Sequence, residues 1–133
     1  MTLRSAYFAD WKGGAIVLLW GDATGMRDLR DFLRLTWAAP NAPTLDRFCE
    51  AVDGRMIAVR AVSDQRDTGM RLARDGLEWR LQPDLAEDFA EMVDVLASSV
   101  SGHQYLETRG SDISVEVSIG EYPETLRPDS RGF

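Results

Sequence analysis

Apolar and polar residues interleave from the start of the chain: Leu3, Ser5, Tyr7 and Ala9 alternate with Arg4, Ala6, Phe8 and Asp10, and Lys12-Gly13-Gly14 follows. A period of two closed by turn residues predicts a β-hairpin. Its second strand, residues 15–20, is the unbroken apolar run Ala-Ile-Val-Leu-Leu-Trp. A strand without alternation is expected to be covered on both faces and so to lie centrally in its sheet. Gly21-Asp22-Ala23-Thr24 ends the run and offers Asp22 or Thr24 as a helix N-cap. Met26, Leu29, Leu33 and Trp37 then recur at helical spacing, with Arg27, Arg30, Asp31 and Arg34 on the far side. That pattern predicts an amphipathic helix ending before Pro40. Leu45, Phe48 and Val52 have the spacing of a second, short helix over residues 44–52.

Asp53-Gly54 turns the chain into a largely apolar strand at residues 56–62, followed by a polar loop over 63–68. Residues 70–74 and 77–81 read as a hairpin around Asp75-Gly76, a dipeptide suited to a type I′ turn. With that turn Leu72 faces Trp79, Met70 faces Leu81, and Arg71 faces Arg80. Pro83-Asp84 opens a further helix, with Asp84 as cap and Glu87 placed as in a capping box. Leu85, Phe89, Met92, Val93 and Leu96 form its apolar stripe. After Gly102 come a strand at 103–107, a turn at Arg109-Gly110-Ser111-Asp112, and a strand at 113–119. This last strand alternates strictly, predicting a buried Ile/Val face and a wet Ser/Glu face. The order ββα(α)βββαββ predicts an α+β domain of two layers, a mostly antiparallel sheet with two main helices on one face. Residues 1–123 form this single domain, and residues 124–133, which hold Pro128 and Gly132, are expected to be a flexible tail.

Charge changes the picture more than composition does. Residues 1–80 carry 12 Lys/Arg against 11 Asp/Glu, whereas residues 81–133 carry 3 against 11. No basic residue occurs between Leu81 and Thr108, while Asp84, Glu87, Asp88, Glu91, Asp94 and Glu107 fall in that stretch. The asymmetry argues against a nucleic-acid or anionic-membrane binder and points to a basic protein partner. Like charges at i,i+4, Asp84/Asp88 and Glu87/Glu91, each cost about 0.2–0.5 kcal/mol, little against a domain stability of about 5–15 kcal/mol. The acidic residues therefore read either as a solvated helix face or as a docking surface that speeds encounter with a basic partner. Arg71 opposite Arg80 is the complementary feature: the pair would suit an acidic helix from a second copy, making a homodimer the rival to a foreign partner. Trp11, beside the first turn, is a candidate anchor at such an interface.

Catalytic constellations are missing from the sequence. There is one histidine, His103, so a histidine-based metal site would have to draw every other ligand from carboxylates. His103 as a general base oriented by Glu107 or Glu121 is the weakest of the readings, and no catalytic residue, metal or cofactor is expected. Cys49, the only cysteine, excludes an internal disulfide and reads as a buried free thiol. The first residues lack the apolar stretch of a signal peptide and no run reaches membrane-spanning length, so a cytoplasmic location is expected.

Three segments look familiar when read together: Leu19-Trp20-Gly21-Asp22, Gly102-His103-Gln104-Tyr105-Leu106-Glu107, and Val117-Ser118-Ile119-Gly120-Glu121-Tyr122-Pro123. They resemble segments of small immunity proteins of bacterial polymorphic-toxin and contact-dependent-inhibition systems, and of related uncharacterised bacterial proteins. The resemblance implies a non-catalytic protein that neutralises a basic cognate toxin domain by binding it. Immunity surfaces diverge with their toxins, so it carries over no binding residue; His103, Tyr105, Glu121 and Tyr122 can equally be read as defining the fold alone. The alternative is a self-associating structural or regulatory protein.

Overall fold

A computed structural model describes residues 2–35 and 43–128. Strands β1 (Leu3–Trp11) and β2 (Gly14–Gly21) form the expected first hairpin. Helix α1 follows at Ala23–Leu35, then β3 (Cys49–Ala51), β4 (Met56–Ala61), β5 (Gly69–Leu72) and β6 (Gly76–Leu81). Helix α2 spans Pro83–Ala97, and β7 (Gly102–Tyr105) and β8 (Ile113–Ile119) follow it. The expected end of α1 at Trp37 to Pro40 lies outside the described residues. No helix among the described residues is long and apolar enough to cross a membrane.

The chain is mixed α+β, with one eight-stranded sheet in the order β3-β1-β2-β8-β5-β6-β4 and β7 also paired to β8. The two-layer, mostly antiparallel arrangement needs correction. The pairings β1–β3, β2–β8 and β4–β6 are parallel, and the sheet curls into a nearly closed, barrel-like form. Parallel neighbours need long crossovers, which a local hydrophobic pattern does not reveal. A register irregularity between Phe8 and Trp11 adds the bend and twist that such irregularities introduce.

Strand β2 is central, as its apolar run predicts, flanked by β1 and β8. Val17 and Leu19 point into the main core with Met26, Leu29 and Leu33 of α1 and Phe89, Val93 and Leu96 of α2. Ile16, Leu18 and Trp20 point the other way, into a second core with Ala6 and Phe8. Asp22 is the cap of α1: its Oδ1 accepts from the Gly25 N–H at 2.8 Å. Replacing Asp22 by alanine should therefore cost about 1 kcal/mol, read as a lowered urea midpoint with unchanged slope.

Three local expectations are overturned. Residues 44–52 do not form a helix; a 3-10 turn at Leu45–Arg47 leads into β3, which pairs with Leu3–Ser5 at the sheet edge. The β5–β6 register is two residues from that expected: Met70 pairs with Trp79, Leu72 with Leu77 and Arg71 with Glu78. Arg71 therefore does not oppose Arg80, and Glu78 instead binds the Arg60 and Arg80 guanidinium groups. Gly76 is not a turn residue here. A Cβ on it would stand 2.5 Å from the Met56 carbonyl oxygen, so close approach of β4 requires the glycine. Finally, Asp84 does not cap α2: Gln82 occupies the N-cap position with Pro83 in the first turn, a position suited to proline.

Candidate functional site

Helix α2 buries Ala86, Phe89, Ala90, Val93 and Leu96, which fixes the direction of every acidic side chain on it by the helical repeat. Glu87 and Asp94 lie on the flank toward α1 and are matched there: Arg34 Nε is 3.2 Å from Glu87 Oε1, and Arg30 pairs with Asp94. Asp84, Asp88, Glu91 and Val95 fall on the outward face, and all four are exposed. Among the described residues no ion pair involves Asp84, Asp88, Glu91 or Glu107. The six acidic residues read from the sequence thus divide into an internally neutralised pair and an open stripe on α2, with Glu107 exposed after β7.

Trp11 does not join that stripe. It is half-buried on the second core, its ring 4.8 Å from that of Phe8 and 5.7 Å from that of Tyr122. Helix α2 packs into the main core on the opposite side of the sheet, so the two features cannot share one flat interface.

The wet face expected on β8 is a second correction. Glu116 and Ser118 are 1% and 0% exposed. The chain after β8 folds back over them: the Trp20 indole N–H donates to the Pro123 carbonyl at 3.0 Å, and Tyr122 and Leu126 pack on the second core. Residues 124–128, expected to belong to a tail, include Leu126 in this cover; residues 129–133 lie outside the described residues.

Beneath the cover is a polar cluster. His103 and Tyr105 of β7 pair with Ser118 and Glu116 of β8. His103 Nδ1 is 3.0 Å from Glu121 Oε1, which also accepts from the Ser118 hydroxyl at 2.6 Å. The Tyr122 hydroxyl donates to Glu116 Oε2 at 3.0 Å, while Glu116 Oε1 is buried with no hydrogen-bond partner among the described residues. Burial first, then the hydrogen bond to Glu116, pushes the Tyr122 phenol well above its ordinary value. Tyr105 is shifted the same way, by burial and then by the Glu116 charge. The sequence offers Glu107 or Glu121 as the partner of His103; the contact is with Glu121, and Glu116 was missed. Its signal was a lone carboxylate inside the strictest apolar alternation.

A cleft of about 840 Å³ opens beside the β5–β8 junction, lined in part by Tyr7, Arg66, Arg71, Arg109 and Ser111. Arg66 is paired with Asp64 at 3.0 Å. Cys49 is buried away from it, and burial pushes its thiol up to about 11, leaving too little thiolate for nucleophilic work near neutrality. Comparison with protein-family models, curated proteins and solved structures returned no match for this chain.

Proposed function

We propose that the protein is a non-enzymatic binding protein that engages a basic partner through the outward face of α2. The observation that carries this reading is the stripe of Asp84, Asp88 and Glu91, exposed and in no ion pair among the described residues. Holding like charges along one face costs stability, and a basic partner would recover it. The exposed Val95, at 62%, adds an apolar contact to the end of the stripe. The resemblance to immunity proteins gives the partner a chemistry: a basic toxin domain, held by charge and neutralised by steric cover.

The first test is to read the neighbouring coding sequence for a basic toxin domain, whose absence would count against the proposal; such a domain would then be bait in a pull-down at about 50 mM and 0.5 M salt. Binding should weaken at high salt, where charges are screened beyond a few ångströms. A Asp88→Asn/Glu91→Gln double variant should bind about tenfold more weakly at low salt only. Binding indifferent to both salt and substitution would remove the proposal.

One observation favours a second reading, self-association. The cleft carrying Arg71 and Arg109, with Arg66 already paired to Asp64, is a basic counterpart on the same chain for the stripe of another copy. Sedimentation would then show a dimer that the same double variant dissociates without any foreign protein.

A further inference from the structure

We propose that His103, Glu116 and Glu121 form a binding site for one first-row divalent metal ion of the zinc class. Their donor atoms, an imidazole nitrogen and two carboxylate oxygens, all lie within 4.8 Å of one another. Donors around a bound zinc stand about 3–3.5 Å apart, given bonds of about 2.0–2.2 Å. His103 and Glu121 already stand 3.0 Å apart, so closing the set asks only for a rotamer adjustment of about 1 Å that brings them and Glu116 together.

Glu116 is the decisive residue. A carboxylate buried to 1% exposure, with one oxygen accepting from Tyr122 and the other without a hydrogen-bond partner among the described residues, is costly unless a cation compensates it. His103 does not fill that role, because its Nδ1 is directed at Glu121. A dication between the three residues would satisfy the free oxygen and balance both carboxylates.

The surroundings resemble the outer shell of a metal site. The Ser118 hydroxyl holds Glu121 at 2.6 Å and the Tyr122 hydroxyl holds Glu116 at 3.0 Å, each orienting a ligand as outer-shell partners do. The imidazole selects zinc-class ions over calcium or magnesium, which prefer an all-oxygen set. His103 and Glu121 retain 43% and 31% side-chain exposure, so the ion has a path in, and three protein donors leave a coordination position toward solvent. The inference is independent of the acidic stripe on α2 and stands or falls separately.

The experiment uses the full chain after chelator treatment, titrated with zinc chloride. His103 is the only histidine, so its ring signals in an NMR spectrum report on the site directly and without any substitution. They should shift or exchange until one zinc per chain is added and then stop, and a large excess of magnesium should not reproduce the change. Calorimetry should give one site, weakened about 100-fold or more in His103→Ala and Glu121→Gln and about tenfold in Ser118→Ala. Asp88→Asn, on the exposed stripe, should bind zinc like the parent. Imidazole signals unmoved by excess zinc would overturn the proposal, as would a loss in Asp88→Asn equal to that in Glu121→Gln.

Discussion

Trp79→Ala is expected to lower stability by about 4 kcal/mol, within the range for truncating a buried aromatic. Trp79 is fully buried on β6, pairs with Val59 of β4 and Met70 of β5, and stacks on Phe89 of α2 with ring centroids 6.2 Å apart. Removing the indole therefore loosens three strands and a helix together. Trp79→Phe should cost far less, about 1 kcal/mol. Its indole N–H is buried with no acceptor among the described residues, so phenylalanine removes an unsatisfied donor along with part of the ring. Urea unfolding of both variants, followed by far-ultraviolet circular dichroism, separates the two effects. Equal losses would show that the N–H is satisfied in solution.

Gly120→Ala is expected to cost about 3 kcal/mol, more than an ordinary loop substitution. The residue has φ +72°, and a Cβ built on it would meet the Val100 carbonyl oxygen at 2.3 Å. Backbone conformation accounts for about 1 kcal/mol of that loss. The remainder is collision with another backbone segment, which no rotamer relieves. Gly110→Ala is the control: φ there is +77° but nothing lies within 4 Å of the added Cβ, so only the conformational part should appear. Because Gly120 immediately precedes Glu121 and Tyr122, its substitution should also disturb the cover over Glu116. The Tyr122 phenol, held neutral by burial and Glu116, would then titrate nearer its ordinary value of about 10.

Much of the fold was legible because its signals are local. The apolar run of β2 announced a strand covered on both faces, and Asp22 stood where an N-cap was needed. The alternation of residues 113–119 marked β8. What misled depends on distant partners. Asp75-Gly76 resembles a hairpin turn, yet Gly76 answers to the Met56 carbonyl on β4. The resulting register error was even, so every side chain stayed on its expected face. Leu45, Phe48 and Val52 have helical spacing, but pairing of Cys49 with Leu3 drew that segment into the sheet edge. Two of the five acidic residues on α2 were misread for the same reason, since the arginines that neutralise Glu87 and Asp94 lie on α1. Glu116 was misplaced because alternation defines two faces without saying whether a later segment returns to cover the second. The three segments carrying the family resemblance do meet in space. Trp20 and His103 pair with Ser118 from its two sides, and Trp20 binds Pro123.

The position of β8 in the strand order bears on how the molecule is made. It joins β2 of one half-sheet to β5 of the other, yet a ribosome synthesises it after every other strand described here. Until residues 113–119 leave the exit tunnel, β1–β2–β3 and β4–β5–β6 share no strand, and the Pro43–Thr44 segment, bonded to β4, is what links them. Nascent chains stalled before this point should be protease-sensitive and prone to capture by chaperones, and they should become resistant in one step once β8 is released.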